Sequence, residues 1–119
     1  MKLLFLTRRF PLREGPVSHW SFEMANRLAM RCEDFAVCAL GPMPSKLGKL
    51  GFELLRPPPS IARPSSVVAW ALDSFRARRF DAVLGSDWVS ASLGLAWRGR
   101  SGVRRVFTAV HGPELEWRR

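Results

Sequence analysis

Short apolar stretches alternate with segments of helical period along the chain, and this alternation limits the possible folds more than any other feature. Residues 3–7 form the first stretch, which is continuous and therefore typical of a strand buried on both faces. Comparable stretches predict further strands at residues 35–40, 52–55, 82–85 and 103–110. The pattern indicates five short strands separated by longer connections.

The first connection contains the clearest helical spacing. Residues 17–31 place Trp20, Met24 and Leu28 on one side, which predicts a helix with an apolar face. A loop over residues 8–16, with two prolines and a glycine, precedes it.

Two more helices are predicted from their start signals. Ser65 or Ser66 caps a helix that runs to about Arg79, and Asp87 or Ser86 caps another that ends near residues 99–102. Strands that alternate with helices in this way form a parallel sheet. We therefore expect a single α/β domain with a Rossmann-like parallel sheet flanked by helices on both faces.

Composition agrees with one globular domain. The chain has 119 residues, of which 47% are hydrophobic, and this is enough apolar material for one core. No apolar run approaches the roughly 20 residues of a membrane span, and the amino terminus lacks the features of a secretory signal. A cytoplasmic protein is expected.

Charge and cysteines narrow the possible partners. The formal charge of +9 is spread over both halves, so it predicts general attraction to phosphates, anionic lipids and nucleic acid without a specific nucleic-acid site. Cys32 and Cys38 have no metal-ligand spacing and are expected to be reduced packing residues.

Ligands of parallel sheets bind beyond the carboxyl ends of the strands, so the loops at 8–16, 41–46, 85–88 and 111–114 are the candidates. Gly15 stands just before the first helix, where backbone N–H groups attract phosphate, and Pro16 and Val17 follow it. One glycine is weak evidence, and a tight turn with proline at the helix start explains it equally well.

Five polar or small residues complete the candidate site. His111 and Gly112 follow the last strand, where an imidazole can bind a hydroxyl or phosphate, or simply end the strand. His19 lies beside Glu23 on the polar helix face and is more typical of a surface residue. Ser86 and Asp87 lack the second glycine of a hydrolase elbow, and capping is the first expectation for Asp87.

The candidate loops and the neighbouring helix and strands carry a recognisable set of motifs. The segments concerned are Phe10-Pro11, Glu14-Gly15-Pro16-Val17, His19, Glu23-Met24-Ala25-Asn26-Arg27-Leu28, Arg31-Cys32-Glu33-Asp34-Phe35-Ala36-Val37, Phe80-Asp81-Ala82-Val83-Leu84 and Thr108-Ala109-Val110-His111-Gly112. In this order and spacing the chain resembles the N-terminal domain of a family 4 glycosyltransferase of the GT-B architecture. It departs from that pattern at Pro16, which replaces a glycine and removes an N–H donor, and at Cys32, which replaces a glycine after the helix.

The resemblance implies transfer of a sugar from a nucleotide-sugar donor to a sugar or lipid-linked acceptor, with retention at the anomeric carbon and no metal or other cofactor. It assigns the acceptor to this domain and the donor to a second, C-terminal domain that residues 1–119 do not contain, so we expect the chain alone to be inactive. It also implies that the loop at Gly15 approaches the donor diphosphate and that His111 is the catalytic residue, facing the transferred sugar or the acceptor.

Two other expectations remain open at this point. One is a stand-alone Rossmann-like module that binds phosphorylated ligands or a protein partner, and the other is a basic nucleic-acid binder. The spread of basic charge also allows peripheral contact with anionic lipids at the inner face of a membrane, worth about 1 kcal/mol for each well-placed cation. The glycosyltransferase interpretation requires the turns at Gly15 and His111 to lie at one edge of the sheet.

Overall fold

Five strands and three helices alternate in the order that the sequence predicts. A computed structural model of the chain describes residues 1–7, 16–40, 50–55, 57–58, 60–61, 63–74, 78–96 and 103–109. The elements are β1 (Lys2–Thr7), α1 (Pro16–Arg31), β2 (Asp34–Ala39), β3 (Glu53–Leu55), α2 (Pro64–Ser74), β4 (Ala82–Gly85), α3 (Trp88–Ala96) and β5 (Arg105–Thr108).

The strands form one parallel sheet in the order β3-β2-β1-β4-β5. The central strand β1 pairs with β2 from Lys2↔Asp34 to Thr7↔Ala39 and with β4 from Leu3↔Ala82 to Leu6↔Gly85. The order reverses between β1 and β4, as in doubly wound α/β folds. The expected α/β, Rossmann-like sheet is therefore confirmed.

Both faces of the central strand are covered, which explains why β1 is apolar from Leu3 to Leu6. Leu4 and Leu6 point to the side occupied by α2 and α3, while Leu3 and Phe5 point to the side occupied by α1. All four are buried. We call these two clusters the α2/α3-side core and the α1-side core.

Aromatic side chains fill much of the α1-side core. The ring centroid of Phe5 lies 6.2 Å from that of Trp20 and 6.3 Å from that of Phe35, distances typical of favourable tilted and edge-on ring pairs. Phe52, just before β3, packs edge-on against Phe35 and Phe22. These contacts fix α1 over β1, β2 and the short β3.

The second helix differs from its prediction at both ends. It begins at Pro64, so Ser65 and Ser66 lie inside its first turn, and the expected serine cap is wrong. Proline suits this first position because its missing N–H would have no helical partner there. The helix also does not reach Arg79, whose φ of 51° is left-handed and incompatible with a helix.

Charged side chains join three strands at the amino edge of the sheet. The Nε of Arg78 donates to Oδ2 of Asp34 at 2.9 Å and its Nη2 donates to Oδ1 at 2.5 Å. The Nη1 of Arg78 donates to Oε2 of Glu53, and its guanidinium lies 5.0 Å from the ring centroid of Phe80. We call this group the Arg78 clasp. It connects the starts of β2 and β3 to the segment that enters β4.

Two further observations concern burial. Cys32 and Cys38 are free thiols, and Cys38 is buried in the α2/α3-side core, where burial raises its pKa to about 12. A packing role for Cys38 is thereby confirmed. None of the helices in the described ranges is both long and apolar enough to cross a bilayer.

Candidate functional site

The carboxyl ends of β1 and β4 lie side by side at the point where the strand order reverses. The chain continues from β1 to α1 on one face and from β4 to α3 on the other. Both helices therefore begin at this edge and run back toward the amino edge. Diverging connections open a crevice in such sheets, and ligands bind there. We call this place the switch edge.

Buried polar residues are concentrated at the switch edge. In the part of the chain that the structure describes, all the buried polar side chains belong to it, namely Thr7, Ser21, Ser86, Asp87 and Ser90. Elsewhere the described interior is apolar, because polar groups are costly to remove from water without partners. Four hydroxyls and one carboxylate are thus buried at the ends of two central strands, with Ser21 on the α1 side of the sheet and Ser90 on the α3 side.

Asp87 organises the start of α3. Its Oδ1 accepts a hydrogen bond from the backbone N–H of Ser90 at 2.8 Å, and its carbonyl oxygen accepts one from Ala91 at 3.0 Å. This is the geometry of a helix N-cap. Of the two caps that the sequence allows, Asp87 is confirmed and Ser86 is wrong.

Small residues let α3 approach the sheet closely. A Cβ added at Gly85 would lie 2.3 Å from the backbone nitrogen of Ala91, and one added at Gly94 would lie 2.8 Å from Cγ1 of Val83. The N–H of Ser86 donates to the carbonyl of Leu6 at 2.9 Å. The first turn of α3 is therefore held directly against the ends of β4 and β1.

The other helix is joined to the same edge by a hydroxyl pair. The Oγ1 of Thr7 donates to Oγ of Ser21 at 3.4 Å, and both residues are fully buried. Thr7 also extends the sheet, since its carbonyl accepts a bond from the N–H of Leu40 at 2.8 Å. Thr7 thus connects β1, the end of β2 and the second turn of α1.

Ser90 contributes a hydroxyl with an unusual environment. It lies one helical turn before Gly94, on the face of α3 that contacts Leu6 and Val83, and so faces the strand ends. Its side chain is fully buried, and its Oγ has no hydrogen-bond partner among the described residues. An unpaired hydroxyl of this kind costs about 1–3 kcal/mol, which is typical of a position kept for something other than stability.

The predicted site residues divide into three groups. Ser86 and Asp87 are brought together at the switch edge. Pro16, Val17 and His19 belong to the first turn of α1, which begins at this edge, but the positions of their side chains are not described.

The remaining site residues, Gly15, His111 and Gly112, lie outside the described ranges. β1 and β5 do end at the same edge, with β4 between them. Whether the turns at Gly15 and His111 share that edge stays a prediction.

Sequence reasoning missed Thr7, Ser21 and Ser90. A weak signal was present, since Thr7 closes an otherwise apolar strand and Ser21 interrupts the apolar side of α1 between Val17 and Ala25. Ser90 gave no signal, because serine in the first turn of a helix is ordinary. Thr7 and Ser21 meet because α1 packs on β1, and Ser90 reaches the same edge from the other face because β4 pairs with β1.

Comparisons with models of protein families, with curated proteins and with solved structures give no match for this chain. The resemblance to family 4 glycosyltransferases therefore depends on the motifs of the sequence, and the site depends on its own geometry.

Proposed function

We propose that this chain is the acceptor-side domain of a retaining glycosyltransferase, with the acceptor sugar bound over the switch edge. One observation carries the proposal: the buried polar side chains of the described structure gather where β1 and β4 end. Two of the loops that the motifs single out, 8–16 and 85–88, follow these two strands. The proposed site and the expected ligand-binding edge of a doubly wound sheet coincide.

The chemistry of the switch edge favours a hydroxyl-rich ligand. Hydroxyls donate and accept hydrogen bonds, and carboxylates accept them, so this set of groups complements a sugar. A phosphate is less suited to α3, because Asp87 places negative charge at the helix start and already holds the N–H of Ser90. The runner-up function, a module for phosphorylated ligands, would have to use the start of α1, where Pro16 removes one donor.

The proposed activity needs more than this chain. In the family that it resembles, a second domain binds the donor nucleotide, so residues 1–119 alone are expected to transfer no sugar. His111 is the proposed catalytic residue and would face the transferred sugar. Detectable turnover of a nucleotide sugar by the purified 119-residue chain would contradict this division of roles.

Amide chemical shifts provide the direct test. Titration of the labelled chain with neutral mono- and disaccharides should perturb the amides of Thr7 and of residues 85–91, while the amino edge at Asp34 and Glu53 stays unchanged. Inorganic phosphate and nucleoside diphosphates form the comparison series. Perturbation only by phosphate compounds would favour the runner-up function, and no perturbation at the switch edge by any of them would refute both.

The variant Asp87→Asn further distinguishes sugar binding from phosphate binding, because asparagine also caps a helix but carries no charge. We expect it to weaken sugar binding about tenfold, in line with the loss of a charged hydrogen bond worth about 1.5–3 kcal/mol. Phosphate binding should be unchanged or stronger. Asp73→Asn, on the exposed side of α2, is the matched control for charge.

Peripheral contact with anionic lipid is a second part of the proposal. Arg27, Met30 and Arg31 share one face of α1 by helical spacing, and all three are exposed, Met30 by 87%. A basic face with an apolar side chain suits the surface of an anionic bilayer. Sedimentation with phosphatidylglycerol vesicles should exceed that with phosphatidylcholine vesicles, and the double change Arg27→Gln with Arg31→Gln should remove the difference. Equal sedimentation with both lipids would refute it.

A further inference from the structure

The last strand is much less buried than its neighbour. All of β4 except Leu84 is buried, whereas in β5 Arg105, Phe107 and Thr108 are exposed and Val106 is half-buried. Strands of parallel sheets are normally covered on both faces. β5 is the edge strand of the sheet, and no strand lies beyond it within the described residues.

The register shows which side of β5 is open. Arg105 pairs with Ala82 and Phe107 with Leu84, and both partners belong to the α1-side core. Arg105 and Phe107 therefore lie on the α1 side of the sheet, beyond the strands that α1 contacts. Phe107 is 43% exposed, which is unusual for a large apolar side chain beside a core.

The backbone of β5 has an open side as well. The N–H of Ala109 donates to the carbonyl of Gly85 at 3.1 Å, and Gly85 pairs with Thr108, so the peptide group of Ala109 points toward β4. Peptide groups alternate along a strand, and the N–H groups of Val106 and Thr108 therefore point away from the sheet. An extended segment can pair with such groups and lengthen the sheet.

The charge beside β5 indicates which kind of segment can pair with this strand. Arg104 and Arg105 are adjacent and exposed, so their side chains flank the open edge on opposite faces. Opposite charges on neighbouring strands stabilise pairing, and like charges directly opposite each other destabilise it. A second copy of this chain carries the same +9 charge and would bring arginines toward arginines.

We propose that β5 is a docking edge for an extended acidic segment of a partner protein, which adds to the sheet with carboxylates near Arg104 and Arg105 and an apolar side chain beside Phe107. This inference does not depend on the proposed sugar-binding function, because it uses the outer side of β5 and none of the buried residues of the switch edge.

The probe for the test is a soluble peptide of alternating glutamate and valine, with a glutamine-for-glutamate peptide as its neutral match. At low salt the acidic peptide should bind about tenfold more tightly, since close charge pairs contribute on the order of 1–2 kcal/mol. Hydrogen exchange at the outward amides of Val106 and Thr108 should slow about tenfold on binding. Equal binding of both peptides, or no slowing at these amides, would overturn the proposal.

Two variants keep the test independent of folding. Arg105→Glu should weaken binding of the acidic peptide about tenfold, whereas Arg63→Glu, which makes the same charge change at an exposed position before α2, should change it less than about twofold. Thr108→Pro removes an outward N–H and leaves the hydrogen bonds to β4 in place, so it should also abolish binding. Arg105→Glu without effect would refute the docking edge even if Thr108→Pro does not fold.

The same experiment distinguishes the acidic segment from two other occupants of the edge, a nucleic acid and a second copy of this chain. A single-stranded DNA that slows exchange at Thr108 as strongly as the peptide does would show that any polyanion suffices and would overturn the proposal. Concentration-dependent dimerisation that protects the same amides without peptide would assign the edge to a second copy and overturn it equally.

Discussion

The two edges of the sheet hold their polar groups in different ways. At the amino edge, the Arg78 clasp joins three strands through partly exposed, fully paired charges. At the switch edge, hydroxyls and one carboxylate are buried, and the Ser90 hydroxyl has no partner in the described chain. Paired charges at one edge are typical of stabilising contacts, whereas buried hydroxyls at the other are typical of a binding site. The same sheet thus pairs its charges at one edge and buries its hydroxyls at the other.

The largest expected effect tests how closely α3 must sit at the switch edge. Gly85→Ala forces a Cβ to within 2.3 Å of a backbone nitrogen, and backbone cannot yield as a side chain can, so we expect a loss of about 3 kcal/mol or more. Urea unfolding followed by circular dichroism measures it. Gly51→Ala is the control, because the atom it meets is the end of the Asn26 side chain. Equal losses for both variants would show that α3 has room to move.

The next effect concerns the amino edge and its dependence on pH. Arg78→Met should cost about 1–2 kcal/mol of unfolding free energy, since it removes hydrogen bonds between charged groups that are partly exposed. Hydrogen bonding to Arg78 lowers the pKa of Asp34, so the stability from this pair is present above the usual aspartate pKa of about 3.9 and is lost as pH falls below it.

Unfolding measured from neutral pH to pH 3 therefore compares the two proteins. The difference between wild type and Arg78→Met should shrink as the solution becomes acidic. Arg31→Met, at an exposed position of α1, controls for loss of charge alone. A difference that is constant across this range would show that Asp34 is not held in its charged form by Arg78.

A smaller loss is expected at the cap of α3. Asp87→Ala removes the acceptor for the N–H of Ser90 and should cost about 1 kcal/mol, while Asp87→Asn should cost only a fraction of that. Urea unfolding near neutral pH distinguishes them. If both variants lose the same amount, the charge of Asp87 rather than its capping bond supports the fold.

The smallest expected change in stability has the opposite sign, a gain rather than a loss. Ser90→Ala removes a buried hydroxyl without a described partner, so stability should stay constant or rise by up to about 1 kcal/mol. The matched change Ser21→Ala, whose hydroxyl accepts a bond from Thr7, should lower stability by about 0.5–1.5 kcal/mol. A clear loss for Ser90→Ala would mean that its hydroxyl is satisfied, and the contrast between the two edges would weaken.

Particular residues show how far the sequence was informative. The apolar run that contains Leu4 and Phe5 predicted a central strand, because only a strand covered on both faces is apolar at every position. Asp87 was predicted as a cap from its place before an apolar helix. The predicted end of α2 was wrong. The left-handed conformation of Arg79 cannot be recognised in a sequence whose helical spacing continues. The exposure of Phe107 was also hidden, because an edge strand and a central strand look alike when each is short and apolar.

The sequence by itself determined the number, order and type of the elements, because hydrophobic periodicity is a local property. The tertiary structure decided which residues became neighbours. Thr7 lies far along the chain from Ser86 and Ser90 and shares an edge with them only because β4 pairs with β1. Arg78 reaches Asp34 and Glu53 only because β2 and β3 lie in that order. Strand order depends on how both faces of the sheet pack, and this packing joins residues from distant segments of the chain. No single segment of the sequence therefore determines it.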